Sequence, residues 1–224
     1  GIVGSYFNTR GSGVVAKLGT DGQVFTSTGA GLSQGFEAAA GGAWNLIKTL
    51  TSDGSDATLS FVDGTDDVVL DSTYDEYCFK FINMHPEDDS VSFTFQANVA
   101  GGSGYNETLT STHFSAYHLG GGTPEFAYKT ANDQAAGTAF HIFGEGIGNA
   151  NDESISGELY LFGISSTVFT KGFVSRATSA RYNESLENVY TSGIFDTSSA
   201  IDEIQFKFDS GDIEGGKIKL YGIS

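Results

Sequence analysis

Short acidic turns are the first places in this sequence where side chains could do chemistry. Carboxylates cluster around Asp53, Asp63 and Glu87, in each case among turn residues. Carboxylate oxygens on glycine-containing turns are ligands that Ca²⁺ accepts, so Asp63, Asp66 and Asp67 are candidate ligands and calcium is the one suggested cofactor. No cluster has the terminal bidentate Glu of an EF-hand, and Asp and Gly are also ordinary turn residues. The favoured interpretation is solvated turns.

The residues needed for catalysis are present without the spacing that catalysis requires. The four histidines, His85, His113, His118 and His141, show no HExxH-type metal spacing. His113 and His118 are five residues apart, which places them on opposite faces of a strand. The sequence contains no phosphate-binding loop, and its 28 acids single out no glycosidase pair. We therefore predict a protein that is not an enzyme.

Aromatic residues in or beside glycine-rich loops are the candidate ligand-binding groups. They are Tyr105, Tyr117, His118 and Tyr128. A ring exposed at a loop tip offers a sugar both an apolar face and a polar edge, so these residues predict a carbohydrate-binding site. The alternative is that the same rings pack under the loops or between subunits.

The charge of the chain restricts its partners. The 224 residues include 28 acidic and 11 basic ones, which gives a formal charge of −17. Nucleic-acid binding requires clustered Lys and Arg, and anionic membranes would repel this protein for the same reason. We expect neither nucleic-acid binding nor membrane insertion. The single Cys78 excludes an internal disulfide framework, and its alternating surroundings predict a small packing residue.

Alternation of apolar and polar residues predicts many short strands. Turn residues recur at spacings of roughly 8 to 12 residues, which is typical of an antiparallel β-sandwich. We predict an all-β, jelly-roll-like sandwich over residues 42–224. The predicted strands are 44–50, 57–62, 67–70, 74–83, 90–98, 107–119, 125–131, 139–144, 154–162, 169–181 and 201–208. Residues 184–195 fit either a bulged strand or a short helix.

Two of these strands carry detailed predictions about their faces. In the first, one face carries Trp44, Leu46, Lys48 and Leu50, and Ile47 points to the other. In the strand over 74–83, Tyr77, Phe79 and Phe81 lie on one face, opposite Cys78, Lys80 and Ile82.

The final residues repeat an earlier segment. Residues 216–224, Gly-Lys-Ile-Lys-Leu-Tyr-Gly-Ile-Ser, match residues 157–165, Gly-Glu-Leu-Tyr-Leu-Phe-Gly-Ile-Ser, at an offset of 59 (216 − 157). We interpret them as two equivalent strands of the core sheets. Gly163 and Gly222 are predicted to mark the bends where each strand leaves its sheet.

Residues 1–41 differ from the remainder of the chain. They are small and glycine-rich, and they hold too little apolar area to fold alone, which predicts an extended anchoring arm. Asp21-Gly22 predicts a hairpin turn between strands at 14–18 and 23–28.

The arm and the closing strand together resemble proteins of tailed bacteriophages. The segment Leu-Gly-Thr-Asp-Gly-Gln-Val-Phe-Thr-Ser-Thr-Gly-Ala-Gly at 18–31 resembles repeats of phage fibre proteins, with Phe25 where those repeats more often have Leu. The domain that opens at Trp44 and closes in Leu-Tyr-Gly-Ile at 220–223 is similar to a virion structural family of marine tailed phages. The resemblance implies a virion component that is trimeric or otherwise symmetric, and it supplies no catalytic residues.

These observations lead to one main expectation and two alternatives. The main one is a structural protein on the virion surface, contacting capsid or tail proteins through its arm and acting as a fibre, receptor-binding or head-decoration subunit. The first alternative is a lectin-like module that binds carbohydrate, including host-surface glycans, without a virion role. The second is a depolymerase.

Overall fold

The fold is seen in a computed structural model that describes residues 23–26, 35–38, 42–120 and 122–224. The chain divides into two units, Gly1–Gly42 and Ala43–Ser224. In the first unit, β1 (Gln23–Thr26) pairs antiparallel with β2 (Gly35–Ala38). The sequence predicts a hairpin between residues 23–28 and residues 14–18, and residues 14–18 lie outside the described residues.

The second unit consists of two antiparallel sheets, which confirms the predicted all-β sandwich. The large sheet has the order β3 (Trp44–Thr51), β14 (Ile213–Ile223), β5 (Glu76–Pro86), β10 (Ile155–Phe162), β11 (Lys171–Ala180), β12 (Ser185–Phe195), β7 (Leu109–Leu119) and β8 (Glu125–Tyr128). The small sheet has the order β4 (Leu59–Val62), β13 (Ile201–Phe208), β6 (Val91–Val99) and β9 (His141–Ile147). Among the residues described, no helix could cross a membrane.

Phenylalanine side chains fill the space between the two sheets. Phe79 and Phe81 of the large sheet meet Phe93, Phe143 and Phe206 of the small sheet, and all five are fully buried. The ring centroids of Phe81 and Phe143 are 4.9 Å apart, and those of Phe79 and Phe206 are 5.4 Å apart. Burial of one such side chain stabilises the fold by about 1.5–3 kcal/mol. This cluster joins the two sheets.

The strand β5 has the two faces that its sequence predicts. Tyr77, Phe79 and Phe81 belong to the core cluster, whereas Lys80 points to the opposite face. Cys78 is also fully buried but lies outside that cluster, and burial raises the pKa of its thiol to about 12. The predicted burial of Cys78 is therefore confirmed, but the residue lies outside the core cluster in which it was expected.

The repeated segments lie on either side of β5, as β14 and β10. Leu220 and Leu159 are both direct partners of Phe79 and both are fully buried. Leu220 and Leu159, which both pair with Phe79, are 61 residues apart (220 − 159), two more than the offset of 59 between the repeated segments. Side chains alternate with a period of two along a strand, so this shift leaves the apolar face unchanged. The two strands occupy equivalent positions on either side of β5, as predicted, but the predicted alignment of Leu220 with Leu161 is wrong by two residues.

The glycines of the repeat have different roles. Gly163 follows the end of β10 with a φ of +58°, so it forms the predicted bend. Gly222 remains inside β14 and pairs with Tyr77 and Asn45, so the prediction of a second bend is wrong. A Cβ atom at Gly222 would lie 2.2 Å from the Tyr74 ring, and this close approach explains the glycine.

Two further segments differ from their sequence interpretation. Residues 67–70 form a loop rather than a strand, although Val68 and Leu70 alternate and are buried. Asp66 and Asp67 have φ values of +50° and +66°, which a strand excludes. The ambiguous segment 184–195 is the strand β12, whose pairing with β11 and β7 is uninterrupted.

Candidate functional site

One row of side chains crosses the outer face of the large sheet, away from the phenylalanine core. Each member is the direct cross-strand partner of the next, at a spacing of about 5 Å. From β14 to β8 the row comprises Lys219, Lys80, Glu158, Arg176, Tyr190, Phe114 and Tyr128. The first four members carry charge and the last three are aromatic. The outer face therefore has two chemically distinct parts.

The charged part is positive in a strongly acidic protein. We call Lys217, Lys219, Lys80 and Arg176 the cationic area. Lys80 lies 3.6 Å from Glu158, and Arg176 lies over the Tyr190 ring at 5.3 Å. Among the described residues, no carboxylate oxygen lies within 4.0 Å of the charged groups of Lys217, Lys219 or Arg176. Lys219 and Lys80 are direct neighbours, and like charges in this position repel each other.

Trp44 lies beside the cationic area, and the prediction that Lys48 and Leu50 share its face is wrong. A β-bulge in the pairing of β3 with β14 shifts the alternation. As a result, Ile47 and Leu50 pack against the core, while Trp44 and Leu46 are 42% and 55% exposed. A bulge changes which side chains share a face, and alternation alone does not show where it occurs.

The Trp44 ring is held by side chains of the outer face. Its centroid lies 5.6 Å from that of Tyr221 and 6.2 Å from that of Tyr160, both in edge-to-face geometry. The Lys80 ammonium lies 4.7 Å from the Trp44 ring centre. A large exposed indole is thus fixed next to the cationic area.

The other part of the row is an exposed aromatic surface. We call Tyr190, Phe114, Phe126 and Tyr128 the aromatic area. The rings of Tyr190 and Phe114 are stacked at 5.4 Å, and Phe126 meets Phe114 at 5.6 Å. Phe126 and Tyr128 are 71% and 51% exposed. The Tyr128 hydroxyl donates a hydrogen bond to Asp133, which raises the pKa of Tyr128.

Polar side chains lie in the sandwich interior behind the aromatic area. His113 and Thr191 are buried direct partners, and neither side chain has a hydrogen-bond partner among the described residues. The His141 ring centre is 6.2 Å from that of His113. Burial lowers the pKa of His113 to about 4 and that of His141 to about 3. Both imidazoles are therefore neutral at pH 7.

A buried carboxylate extends this polar interior. Glu187 is fully buried, and its carboxylate lies 3.4 Å from Arg181, which is also 3.5 Å from Glu145. Burial raises the pKa of Glu187, although Arg181 opposes the shift. The interior is therefore apolar around the phenylalanine core and polar behind β12 and β7.

The four predicted carbohydrate-binding residues do not form one site. Tyr105 lies beside Phe140 at 6.5 Å, and burial raises its pKa. Tyr117 and His118 are consecutive on β7 and point to opposite sides of the large sheet. Of the four, only Tyr128 belongs to the row on the outer face.

Tyr117 is engaged by its own surroundings. Its hydroxyl accepts a hydrogen bond from Asn183 at 3.1 Å, and its ring lies 5.5 Å from the Arg181 guanidinium. Hydrogen bonds from Ser185 and Asn183 lower the pKa of Tyr117. These contacts support the alternative interpretation of this residue, which is packing.

The candidate calcium ligands belong to the loop over 63–70. The Asp63 carboxylate accepts a hydrogen bond from the Leu70 amide at 2.8 Å, and the Asp66 carbonyl accepts one from the Lys48 ammonium. In the described part of the chain, no three His, Cys, Asp or Glu side chains are arranged to hold a metal ion. A calcium site at Asp63, Asp66 and Asp67 stays a prediction.

Comparison of the chain with protein-family models, with curated proteins and with solved structures found no match.

The outer row was missed in the sequence because its members are distant in the chain. Lys219 and Lys80 become neighbours only through the pairing of β14 with β5. The available signal was the alternation in each strand, which places Lys80, Arg176 and Lys219 opposite core residues. Strand order decides whether such residues meet.

Proposed function

We propose that this protein is a non-enzymatic structural subunit of a tailed-phage virion, with residues 1–41 as its anchor and the sandwich displayed as a fibre, receptor-binding or head-decoration domain. The resemblance of residues 18–31 and 220–223 to phage virion proteins supports the location. Symmetric assembly with copies of the same chain supplies the apolar area that the arm lacks.

The aromatic area is the observation that carries this proposal. Phe126 and Tyr128 expose large apolar surface on β8, and Leu186 and Ile194 add to it on β12 at 54% and 43% exposure. Exposed apolar patches of this kind mark contact surfaces. We assign the surface to a second copy of the chain, as the resemblance to symmetric virion proteins implies.

The size of the face suits this role. Eight strands of 4 to 11 residues, about 4.8 Å apart and rising about 3.3 Å per residue, present roughly 1,000 Å². A standard interface buries about 800 Å² on each partner. An interface of this size fits on the outer face, and the aromatic area at the β12, β7 and β8 end of the sheet is its apolar part.

Light scattering after size-exclusion chromatography of the full chain tests the assembly. We expect a trimer, and we expect Phe126→Glu to dissociate it because a charge replaces an interface ring. Phe169→Glu is the matched control, since Phe169 is 73% exposed but lies outside the aromatic area. A monomeric native protein, or equal behaviour of the two variants, would contradict the interface.

The virion location has its own test. Deletion of residues 1–41 should abolish incorporation into particles while circular dichroism still reports a folded sandwich. Incorporation without the arm would contradict the anchoring role. Copy number per particle separates the two locations, because hundreds indicate head decoration and a small multiple of three or six indicates the tail.

A further inference from the structure

We propose that the cationic area, together with Trp44, binds an acidic polysaccharide. This site uses residues of the outer face other than those of the aromatic area, and its chemistry is different.

The charge distribution indicates an anionic ligand. Nine of the 11 basic residues lie in Ala43–Ser224 (11 − 2, for Arg10 and Lys17), and four of these nine form the cationic area. The chain has 28 acids, which is enough to pair every cation with a carboxylate, yet the row contains one acid, Glu158. Repulsion between Lys219 and Lys80 weakens the free fold, and a bound anion relieves it.

A groove beside the row provides room for the ligand. It has a volume of about 320 Å³, with Lys80 and Glu158 on one strand pair and Arg176 on the neighbouring strand. A β-bulge between Ile155 and Gly157 lies at this point of β10. Glu158 lies between Lys80 and Arg176 in the row, so the acidic group of the ligand is paired by Lys80 and Lys219, which are direct neighbours with no acid between them.

Trp44 adds a surface that suits a sugar ring. Its indole is exposed, fixed by Tyr160 and Tyr221, and adjacent to Lys80. An apolar aromatic face next to cations matches the C–H face of a sugar that carries an acidic group. It matches a nucleic acid less well, because single-stranded nucleic acids are bound by several aromatic rings on which successive bases stack, whereas here a single indole is exposed beside the cations.

Binding of the full chain to defined polymers tests the proposal by biolayer interferometry. The probes are alginate as a polyuronate, dextran sulfate, neutral dextran and single-stranded DNA. We expect binding to alginate or dextran sulfate that weakens with salt, and none to neutral dextran. The polymer that binds more tightly identifies carboxylate or sulfate as the recognised group.

Variants locate the site. The double variant Lys80→Gln and Lys219→Gln should weaken binding about tenfold, an effect of charge pairing at the contact. Lys207→Gln is the matched control, since the Lys207 ammonium also lies over a ring, that of Phe140 at 4.4 Å, but on the small sheet. Trp44→Leu should weaken binding with little change in the salt dependence, because it removes the stacking face and no charge.

Several results would overturn the proposal. They are no binding of either acidic polymer at millimolar sugar, tighter binding of single-stranded DNA, or equal losses in the control and the double variant. Thermal melts confirm that each variant is folded. A monomeric protein that binds alginate would contradict the assembly and leave this site intact, so the two proposals fail separately.

Discussion

The two halves of the large sheet have opposite polarity across its thickness. In the first half, inner Leu220, Phe79 and Leu159 are apolar, and their outer neighbours in the row are charged. In the second half, the same inner row continues as Ser175, Thr191 and His113, and beyond Arg176 the outer row is aromatic. The second half therefore buries polar groups and exposes rings.

The first half of the sheet therefore serves the stability of the fold, and the second half presents a surface for interaction. The first half follows the usual rule for a sheet with one solvated face. The second half departs from it at a cost, because buried polar groups without partners destabilise a fold. Such a departure is expected where a surface serves binding rather than folding, which is why we assign the aromatic area to a partner.

Truncation of a core side chain in the first half of the sheet should have the largest effect on stability. Leu220→Ala is expected to lower the free energy of unfolding by about 2–5 kcal/mol, since it leaves a cavity beside Phe79. Urea denaturation measures the change. Thr191→Ala at the corresponding inner level of the second half should cost less than about 1 kcal/mol, because its hydroxyl has no described partner. Equal losses would remove the contrast between the halves.

Low pH should destabilise the protein because the second half of the sheet buries a neutral histidine, His113. The pKa of His113 falls from 6.5 to about 4 on folding, so the unfolded chain binds a proton first as the pH drops. Stability is complete above pH 6.5 and decreases toward pH 4, on the order of 2–3 kcal/mol for this residue.

Replacement of this histidine tests that slope. His113→Asn should flatten the dependence of the urea midpoint on pH between 6.5 and 4, leaving the part due to His141. His118→Asn is the control, because His118 is exposed on the other face of β7. Glu187, whose pKa is raised, acts in the opposite direction because its protonation favours the fold as the pH falls. An unchanged slope in His113→Asn would show that this histidine is not buried as a neutral group.

The glycines of the repeat should respond differently to alanine. Gly222→Ala places a methyl group against the Tyr74 ring inside the first half and should cost about 1–3 kcal/mol. Gly163→Ala meets open space, so its cost, on the order of 1 kcal/mol, reflects only the positive φ. Thermal melting compares the two, and a greater loss at Gly163 would contradict the packing at Tyr74.

Changes on the aromatic surface should have the smallest effect on stability. Phe126→Ser should alter the free energy of unfolding of the monomer by less than about 0.5 kcal/mol, since the side chain is 71% exposed. Denaturation at concentrations below assembly isolates this value. A loss above about 2 kcal/mol would place Phe126 in the structural core and weaken its assignment to an interface.

Local patterns predicted the strands well where alternation was regular. The predicted strand at 201–208 is β13 over Ile201–Phe208, with buried residues at the predicted Ile204, Phe206 and Phe208. Alternation failed in β3, where a bulge changed the exposed side chains, and in the loop over 67–70, where buried residues alternate without a ladder. Neither the bulge in β3 nor the loop over 67–70 alters the pattern of residue types in its segment, so the local sequence did not predict either feature.

The candidate sites were harder to predict than the fold. Tyr105, Tyr117, His118 and Tyr128 were chosen because they lie in or beside glycine-rich loops, but pairing distributes them over different faces. The cationic area was overlooked because each of its members, taken alone, is typical of a solvated lysine or arginine. The sites depend on strand order, which is a long-range property.

By itself, the sequence determined an all-β sandwich with a distinct N-terminal segment, because periodicity, turn residues and apolar content act within a few residues of each other. It also indicated that the two repeated segments are equivalent strands, but it aligned Leu220 with Leu161, whereas the register of the sheet places Leu220 level with Leu159. Tertiary structure alone decided that Lys219, Lys80 and Arg176 would meet, that Trp44 would be exposed, and that Gly222 would lie under Tyr74. These outcomes follow from register and bulges, which are set by contacts between segments far apart in the chain.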